Sequence, residues 1–554
     1  MRDNVFLNYD GNLRTLSFHH MYRQFLQNKR HLIGHEDERH AYHTAAKLFA
    51  AADMTMEAIA CYRNSEDYVS MLALISRYIG EHISLTERQA EFLLEHLDLL
   101  SPELAAREPM ADYLRAHIYV ELLRLQEAEE LFLALEARLL REGTPEALTL
   151  VGDVYAYLGF IHMMRNQPDF DELYEKATKY LPDGTRFKGK KKLRVGNRHS
   201  FSMPDCEAGA LERMERVVHR GVPWASKILH GGLSGMELIF SAEAAYLTYR
   251  FDDARQWAQR AIAQGEEAAQ YDVVCNAHCL LARIGWILGD FSEMSREVAA
   301  VVDYADLHSH GTVREIRDTL LAWYYIKLDD ISKVPRWIHL VNEQETPLTD
   351  QGREQIVYAN LLIHTGEFSK LVAYLEHPQG LYLTQGIWPD RICLFIMLAI
   401  GYYNLDKPEK AVEALWTAYE MSYHNQLTTL FIEAGKYMRT LTEAVRSQDV
   451  YRFDPAWLDL INRRSNSFSR RMLTVQGAYR KSCAMEPAQP ARLTRREQGI
   501  LLSLSQGLTR EEISDVHTIS VNTVKSIITS IYSKLGALNR ADAIYIATSN
   551  GYIR

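Results

Sequence analysis

A set of hydrogen-bonding side chains recurs at helical spacing near the C-terminus. Asn522, Ser526, Thr529 and Ser533 follow one another at intervals of four, three and four residues, with Lys525 on the flank of the same face. Amide, hydroxyl and ammonium groups on one helix face can form hydrogen bonds with base edges in a DNA major groove. The same spacing also suits an amphipathic helix of a repeat protein, so the neighbouring elements must decide between these interpretations.

The opposite face of this helix carries apolar residues that predict an anchor. These residues recur at spacings of three and four and form one stripe, which is the pattern of a helix buried on one side. They are Val521, Val524, Ile528, Ile531 and Leu535.

Two further helices precede it. Thr494 with Glu497, and Thr509 with Glu512, each fit the capping box, in which the two residues satisfy each other's free backbone donors. Ser520 is the expected N-cap of the third helix, after a short turn over residues 516–519. The sequence therefore predicts a helix-turn-helix arrangement near the C-terminus.

This tail resembles the LuxR-type (GerE-like) DNA-binding domain over nearly its full length. The resemblance implies a four-helix domain in which Lys525, Ser526 and Thr529 face base edges, while helix N-termini, Lys534 and Arg540 approach phosphate. The expected DNA-binding residues are Asn522, Thr523, Lys525, Ser526, Thr529, Lys534, Arg540, Thr494 and Thr509. The matching motif residues are Leu493, Thr494, Arg496, Glu497, Gly507, Leu508, Glu512, Ile513, Ile519, Ser520, Thr523, Val524, Lys525, Ile531, Lys534, Leu535, Asn539 and Arg540.

Two positions depart from the family pattern. Ile527 replaces the histidine that is usual two residues after the motif lysine, and Thr529 stands where some members carry a second base-reading lysine. Fewer cations near phosphate predict a lower affinity for DNA and an altered sequence preference.

Length and charge are consistent with several domains. The chain has 554 residues and a formal net charge of −10, too long for a single core. Residues Ala491 to Arg554 contain eight Lys and Arg against five Asp and Glu, a net charge of +3, so the remainder carries −13. The basic excess lies where a DNA contact would need it.

No targeting or membrane segment is expected. The N-terminus lacks a basic stretch followed by an apolar run, and no run of about 18 uncharged apolar residues occurs. Six cysteines without disulfide-type clustering fit a reducing compartment. We therefore expect a cytoplasmic protein that does not contact a membrane.

The body of the chain predicts a helical repeat. Five similar turns, marked by Phe251, Phe291, Ile331, Phe368 and Pro408, are spaced 40, 40, 37 and 40 residues apart. Each turn follows an apolar helix and precedes a second helix rich in Ala and aromatic residues. This period is typical of a TPR-like solenoid, in which paired helices bury their faces by stacking. The fold class is therefore all-α, a TPR-like superhelix followed by the C-terminal domain.

The repeat region resembles the sensor region of large LuxR-type regulators related to the maltose-operon activator, whose groove takes up an inducer or a regulatory protein. The segment Val5 to Arg30 resembles the end of the winged-helix segment that follows the ATPase module of those regulators, and an N-terminal capping helix explains it equally well. The ATPase module itself is expected to be absent here.

The expected organisation has six parts. They are an N-terminal segment (1–33), an N-terminal block of repeats (34–180), a basic connecting loop (181–202), a C-terminal block of repeats (203–450), a basic helix with a Pro-containing linker (451–489) and the LuxR-type domain (490–554).

Two other groups of residues resemble functional motifs but lack parts that those motifs require. Gly184 to Lys191 approaches a phosphate-binding loop, but Lys191 replaces the Mg²⁺-binding hydroxyl and no strand precedes it. The seven Lys and Arg from Arg186 to Arg198 indicate either a solvated loop or a contact with an anion. Asp272, Cys275, His278 and Cys279 share a helix face, yet without a second ligand pair they favour buried packing over a metal site. We predict no catalysis, no cofactor and no metal.

The sequence thus predicts a transcriptional regulator in which the solenoid senses a small molecule or a protein and controls promoter binding. The expected partners are double-stranded promoter DNA and an unidentified inducer or regulatory protein in the groove. A second copy on DNA is expected too, and RNA polymerase is a further candidate. The alternative is a TPR-like interaction scaffold with a weak or secondary DNA-binding tail.

Overall fold

In a computed structural model, the chain forms two compact units, Met1–Val475 and Gln476–Arg554. The structure describes residues 7–10, 15–18, 20–29, 32–81, 85, 87–122, 124–165, 167–185, 206–308, 311–338, 353–376, 388–448, 450–485, 493–535, 537 and 540–549. The predicted basic segment 186–198 and most of the predicted linker fall outside these residues.

The first elements form a small hairpin followed by a helix. Strand β1 (Leu7–Asp10) pairs antiparallel with β2 (Thr15–Phe18), Leu7 standing opposite Phe18. Helix α1 (His20–Lys29) follows. This hairpin is the exception, within the described residues, to an otherwise helical chain, and the all-α prediction is confirmed for the rest.

Most consecutive helices in the first block of the array pack against each other. Proline at the first position of α6, α7 and α9 fits the helix N-terminus, where its missing N–H has no intrahelical acceptor. The helices are α2 (His35–Ala51), α3 (Thr55–Asn64), α4 (Tyr68–Glu81), α5 (Glu87–Asp98), α6 (Pro102–Arg107), α7 (Pro109–Glu121), α8 (Leu125–Glu142), α9 (Pro145–Met164) and α10 (Phe170–Tyr180).

Helix α9 passes a test of length and composition for a membrane span. Within the described residues it alone does so, with a mean hydropathy of 1.3, but 67% of that apolar window is buried inside the protein. It packs against α8 and α10, and Leu158 and Ile161 on it are almost fully buried. Its apolar surface is thus used within the array.

The second block continues the array, and a long helix follows it. The elements are α11 (Ala210–Ile228), α12 (Met236–Leu247), α13 (Phe251–Glu267), α14 (Tyr271–Leu288), α15 (Phe291–Leu307), α16 (Gly311–Lys327), α17 (Arg353–Thr365), α18 (Phe368–Leu375), α19 (Trp388–Asn404), α20 (Pro408–Ser422), α21 (Thr429–Ile432), α22 (Lys436–Arg446) and α23 (Pro455–Met485).

All five predicted turns lie directly after a helix, and each contains a residue with positive φ. The next backbone N–H bonds back to a carbonyl of the finished helix, as in Asp290 to Gly285 at 2.8 Å and Asp330 to Tyr325 at 3.0 Å. This is the Schellman arrangement, which satisfies carbonyls that a helix end leaves unpaired. The left-handed residues are Tyr249, Gly289, Asp329, Gly366 and Asp406.

The third turn differs from the prediction. A second α-helix was expected after it, but a 3₁₀ turn, Ile331–Lys333, follows instead. Pro335 accounts for the difference, because it lacks a backbone N–H and disfavours the helical conformation in the residue before it.

Small residues allow the helix pairs to approach closely. A Cβ on Gly285 would lie 2.7 Å from the backbone nitrogen of Met294, and one on Gly401 would lie 2.8 Å from the Val372 side chain. Both distances are shorter than atoms tolerate, so these two positions require glycine at the present spacing of the helices.

The last elements of the second block contact its first helices. The Asn425 side chain accepts a hydrogen bond from the Leu211 backbone at 3.2 Å and donates to the Glu207 carbonyl at 2.8 Å. The Thr429 hydroxyl donates to the Tyr246 carbonyl at 2.6 Å. Repeats of a solenoid ordinarily contact only their neighbours, so these contacts close the second block on itself.

In the part of the C-terminal domain that the structure describes, four helices surround a separate core. They are α24 (Arg495–Ser505), α25 (Arg510–Val516), α26 (Val521–Leu535) and α27 (Arg540–Ser549). The buried residues of this core are Leu493, Ile500, Leu501, Leu504, Ile513, Val524, Ile528, Ile531, Ala543 and Ala547.

Candidate nucleic-acid interface

Helix α26 is held by one face, as the sequence predicts. Val524 and Ile531 are fully buried and Ile528 is nearly so, while Val521 is half-buried. These residues contact α24, α25 and α27. The helix is therefore anchored from three sides, whereas Thr523 and Lys525 on it are exposed.

The start of α26 is defined by its N-cap and by the turn before it. The Ser520 hydroxyl accepts a hydrogen bond from the Thr523 backbone N–H at 3.1 Å. Thr518 in the turn has a φ of +50°, and the Ser514 hydroxyl donates to the Ile519 carbonyl. The turn between α25 and α26 is thereby closed by local hydrogen bonds.

Both predicted capping boxes are present. The Thr494 backbone N–H donates to the Glu497 carboxylate at 2.8 Å, and the Thr509 N–H donates to Glu512 at 2.7 Å. Each threonine hydroxyl in turn accepts from the backbone N–H of its glutamate. The hydrogen bond from the Thr509 N–H lowers the pKa of Glu512, because it stabilises the charged form.

Glu497 also positions the candidate recognition helix. The hydroxyl of Ser530 on α26 donates to the Glu497 carboxylate at 2.9 Å, and Glu497 is buried. One side chain thus caps α24 and fixes α26 against it. Sequence reasoning missed this second role, because Glu497 and Ser530 are 33 residues apart and no local pattern relates them.

Two further contacts join the domain's helices. His517, in the turn, shares a hydrogen bond with the Ser503 hydroxyl at 2.9 Å and lies over Gly499, whose absent side chain leaves room for the ring. The Arg540 guanidinium donates to the Leu504 carbonyl at 2.6 Å, near the end of α24. A cation at a helix C-terminus also suits the helix dipole.

The predicted DNA-binding residues fall into two groups. Thr523 and Lys525 on α26 are exposed, as are the helix N-caps Thr494 and Thr509. Arg540 is half-buried, and its guanidinium donates to the Leu504 carbonyl. The side chains of Asn522, Ser526, Thr529 and Lys534 lie outside the described part of the structure.

Ile527 has a structural explanation. Its side chain is half-buried and packs against the domain core. An apolar residue suits that position, so the missing histidine removes no described contact from the exposed face. The departure at this position therefore argues less against DNA binding than the sequence alone indicates.

The segment that resembles a phosphate-binding loop makes structural contacts at its two described residues, Gly184 and Thr185. The Thr185 hydroxyl donates to the buried Asp153 carboxylate, and the Thr185 backbone N–H donates to the Ile228 carbonyl at 3.0 Å. Gly184 has a φ of +81°, and a Cβ there would lie 2.7 Å from the Ile228 carbonyl oxygen. Lys190 and Lys191 lie outside the described residues.

His278 and Asp272, which the sequence groups with two cysteines on α14, bind separate partners. His278 pairs with Glu297 at 2.7 Å, and Asp272 accepts from the Gln270 amide at 2.8 Å. Burial raises the pKa of Cys279 to about 11 and raises that of Cys275 as well, so both thiols are protonated at neutral pH. In the described residues no three His, Cys, Asp or Glu side chains converge as metal ligands would.

Comparison with known proteins agrees with this geometry. Residues 491–547 match the GerE family, described as bacterial regulatory proteins of the luxR family. The C-terminal domain is a LuxR-type helix-turn-helix domain. The matched segment covers α24 to α26 and most of α27.

Two curated relatives are similar in part. The transcriptional regulatory protein YdfI of Bacillus subtilis (strain 168) is 41% identical over 61 residues, which are 11% of this chain and 29% of YdfI. The response regulator protein VraR of Staphylococcus epidermidis is 27% identical over 128 residues, covering 21% of this chain and 61% of VraR. The chain thus spans less than two thirds of either relative.

Among solved structures, the APC/C hetero-tetramer Cut9-Hcn1 aligns over 95% of this chain and 94% of that chain. The sequence identity is 14% and the TM-score is 0.33, a likeness too low to support any inference about this protein.

Proposed function

We propose that this protein is a DNA-binding transcriptional regulator whose helical array senses a ligand or a partner protein and controls promoter binding by the C-terminal domain. One observation carries the proposal: α26 is anchored through its apolar face and exposes Thr523 and Lys525, within a LuxR-type domain. A helix fixed in this way can enter a major groove as a rigid body.

The residues proposed to contact DNA are those that the likeness to the LuxR-type domain implies. Lys525, with Asn522, Ser526 and Thr529, is assigned to base edges, and Thr523 lies beside them on α26. Lys534, Arg540 and the helix N-termini at Thr494 and Thr509 are assigned to phosphate, since helix N-termini attract anions. The hydroxyls of the two threonines already serve the capping boxes, so phosphate would meet other N–H groups of the same first turns.

The protein is proposed to act in the cytoplasm as a homodimer on DNA. One recognition helix reads one half-site, and two copies read half-sites about one helical turn apart. RNA polymerase is the proposed partner when the protein activates transcription.

The experiment starts with selection of genomic fragments by the full chain, followed by sequencing, because the retained fragments themselves identify the operator. Affinity for the selected operator and for a shuffled sequence is then measured by fluorescence anisotropy at two salt concentrations. We expect Lys525→Ala to weaken operator binding by about 1–3 kcal/mol, and shuffled DNA to be affected much less.

Lys370→Ala is the matched control, because it removes one exposed lysine from the array and leaves the domain unchanged. It should bind the operator as the parent does. Selection of no sequence above background, at low salt, would instead favour the interaction-scaffold function.

A further inference from the structure

The long helix α23 separates its apolar residues from part of its basic residues. The first compact unit includes this helix as far as Val475. In that part of α23 the buried residues recur at helical spacing and form one stripe, the pattern of a helix held by one side. They are Trp457, Leu458, Ile461, Ser465, Phe468 and Val475.

The apolar stripe of α23 packs on the second block of the array. The Phe468 ring meets Trp286 of α14 edge to face, with the ring centres 4.8 Å apart. The Trp457 ring lies 4.9 Å from that of Phe431 on α21, again edge to face. These aromatic contacts fix the helix on the block and determine which of its residues remain exposed.

The opposite side of α23 carries arginine and hydroxyl side chains. Arg463, Ser467, Arg470 and Thr474 follow one another at intervals of four, three and four residues, and all four are exposed. At the rise of an α-helix, the two arginines lie about 10.5 Å apart along its axis. We call these four residues the outer face of α23.

The two other arginines of this part of α23 lie against the array. The Arg464 guanidinium is 3.9 Å from the centre of the Tyr249 ring, and the Arg471 side chain lies against the end of α14. Arg463 and Arg470, in contrast, form no ion pair and no side-chain hydrogen bond among the residues that the structure describes. Their charges are thus not used by the described fold.

The basic charge of α23 is not balanced within the helix. From Leu460 to Met485 the sequence contains six Lys and Arg and no Asp or Glu, in a chain whose net charge is −10. Asp459, the one acidic residue of α23, pairs with Arg446. Cations of like sign along one helix repel one another, and an anionic partner bound along the helix removes that repulsion.

The surroundings of the outer face favour DNA over other anionic partners. A membrane-bound helix inserts its apolar face, but that face of α23 is buried in the array. A protein interface has an apolar or aromatic centre, whereas Leu473 is the one large apolar side chain of α23 that is exposed among the described residues. The DNA backbone offers closely spaced phosphates, which accept hydrogen bonds from both arginine and hydroxyl donors.

The LuxR-type domain follows α23 closely in the chain. Met485 ends the helix and Leu493 belongs to the core of the domain, and the eight residue steps between them span at most about 28 Å. DNA bound by the domain is therefore present at a high effective concentration near α23. Even weak phosphate contacts then add to the affinity.

We propose that the outer face of α23 contacts the phosphate backbone of the DNA beside the half-site that α26 reads. The guanidinium groups of Arg463 and Arg470 bind phosphate oxygens, and the hydroxyls of Ser467 and Thr474 donate to neighbouring ones. Such contacts add affinity without sequence preference. This inference rests on the proposed DNA-binding function and gives it a second surface, outside the LuxR-type domain.

The test is fluorescence anisotropy of the full chain over a series of salt concentrations. The duplex contains the selected operator and extends about one helical turn beyond it on each side. In the double variant Arg463→Gln with Arg470→Gln, the slope of log affinity against log salt should become shallower by about 2, because each lost phosphate contact contributes about 1. Affinities for operator and for shuffled DNA should fall by the same factor.

The matched control is Arg107→Gln with Arg141→Gln, which removes the same two charges from exposed positions in the first block. Its slope should equal that of the parent. Lys525→Ala provides the contrast, since it should weaken operator binding much more than binding of shuffled DNA. Glutamine has a helix propensity close to that of arginine, so both double variants should keep their helices.

Three results would count against the proposal. An unchanged salt slope in the α23 variant, with operator binding intact, would overturn it and leave the outer face to an acidic protein partner. The same change of slope in both double variants would also overturn it, since that change would reflect net charge alone. Failure of the parent chain to bind any operator would instead overturn the proposed function, and this inference with it.

Discussion

At the scale of single residues, the lysines of this protein differ in how far they are exposed to solvent. Lys525 is exposed on a helix face and is one of the residues proposed to contact DNA. Lys327 is half-buried, and burial lowers its pKa to about 8, with Arg283 contributing and Glu433 opposing. Burial of a charged lysine destabilises a fold, because the ammonium group loses part of its hydration.

This predicts a stability gain on removal of Lys327. The pKa of Lys327 is about 8 in the folded chain and 10.5, its ordinary value, in the unfolded chain. Between these pH values the unfolded chain therefore binds more protons than the folded chain. The stability contributed by Lys327 therefore rises with pH across that window and is lowest below pH 8. Lys327→Met should raise the free energy of unfolding at pH 7 by up to about 3 kcal/mol.

The measurement is denaturant unfolding of both proteins at several pH values, taking the difference so that other titrating groups cancel. The difference should shrink from pH 8 towards pH 10.5. A difference in unfolding free energy that stays constant across this pH range would show that Lys327 is not the titrating group.

At the scale of elements, the array depends on how closely its helix pairs approach. Each of the five turns ends a helix with a residue of positive φ. Glycines inside the helices stand where a neighbouring helix approaches closely. Gly285 leaves the least room for a side chain, because the atom that its Cβ would meet belongs to the backbone of α15 and cannot rotate away.

Gly285→Ala is expected to destabilise the second block by about 1–3 kcal/mol, the cost of overpacking a filled interface. Gly477→Ala is the matched control: Gly477 lies inside helix α23, and a Cβ there meets nothing within 4 Å among the described residues. Alanine should raise stability at that position by about 0.5–1 kcal/mol through its higher helix propensity. Thermal unfolding of both variants measures the two effects, and equal shifts of the same sign would contradict the packing explanation.

At the scale of the whole molecule, closure of the second block distinguishes it from an open solenoid. The Asn425 amide bonds to the backbone of residues more than two hundred positions earlier in the chain, at Cys206, Glu207 and Leu211. These bonds connect the last repeats of the second block to its first helix.

Asn425→Ala should therefore loosen residues 206–228 selectively. It leaves the buried Leu211 N–H without its acceptor, which costs about 1–3 kcal/mol. Hydrogen exchange of the full chain should show faster exchange at the start of α11 while α8 and α9 stay protected. Asn404→Ala is the control, because the Asn404 bond found in the described part of the chain is local, to the Ile400 carbonyl at 2.8 Å. Unchanged exchange at α11 in the Asn425 variant would show that closure does not depend on this side chain.

Features that depend on neighbouring residues could be predicted from the sequence. The capping boxes at Thr494 and Thr509, the N-cap at Ser520 and the repeat turns depend on contacts within a few positions, so their residue types and spacing suffice to predict them. The buried stripe of α26 follows from helical periodicity in the same way. The expected domain boundaries and the linker remain predictions.

Contacts between distant residues became visible only in the folded chain. The bond of Glu497 with Ser530, that of Asn425 with the Leu211 backbone, and the ion pairs of Arg283 with Glu433 and of Arg353 with Glu243 join residues that no period relates. Charged residues on amphipathic helices ordinarily face solvent, so Arg283 and Lys327 give no sign in the sequence that they point inward. Their position is set by packing of successive helices and by the return of the last repeats, because only folding brings those distant segments together.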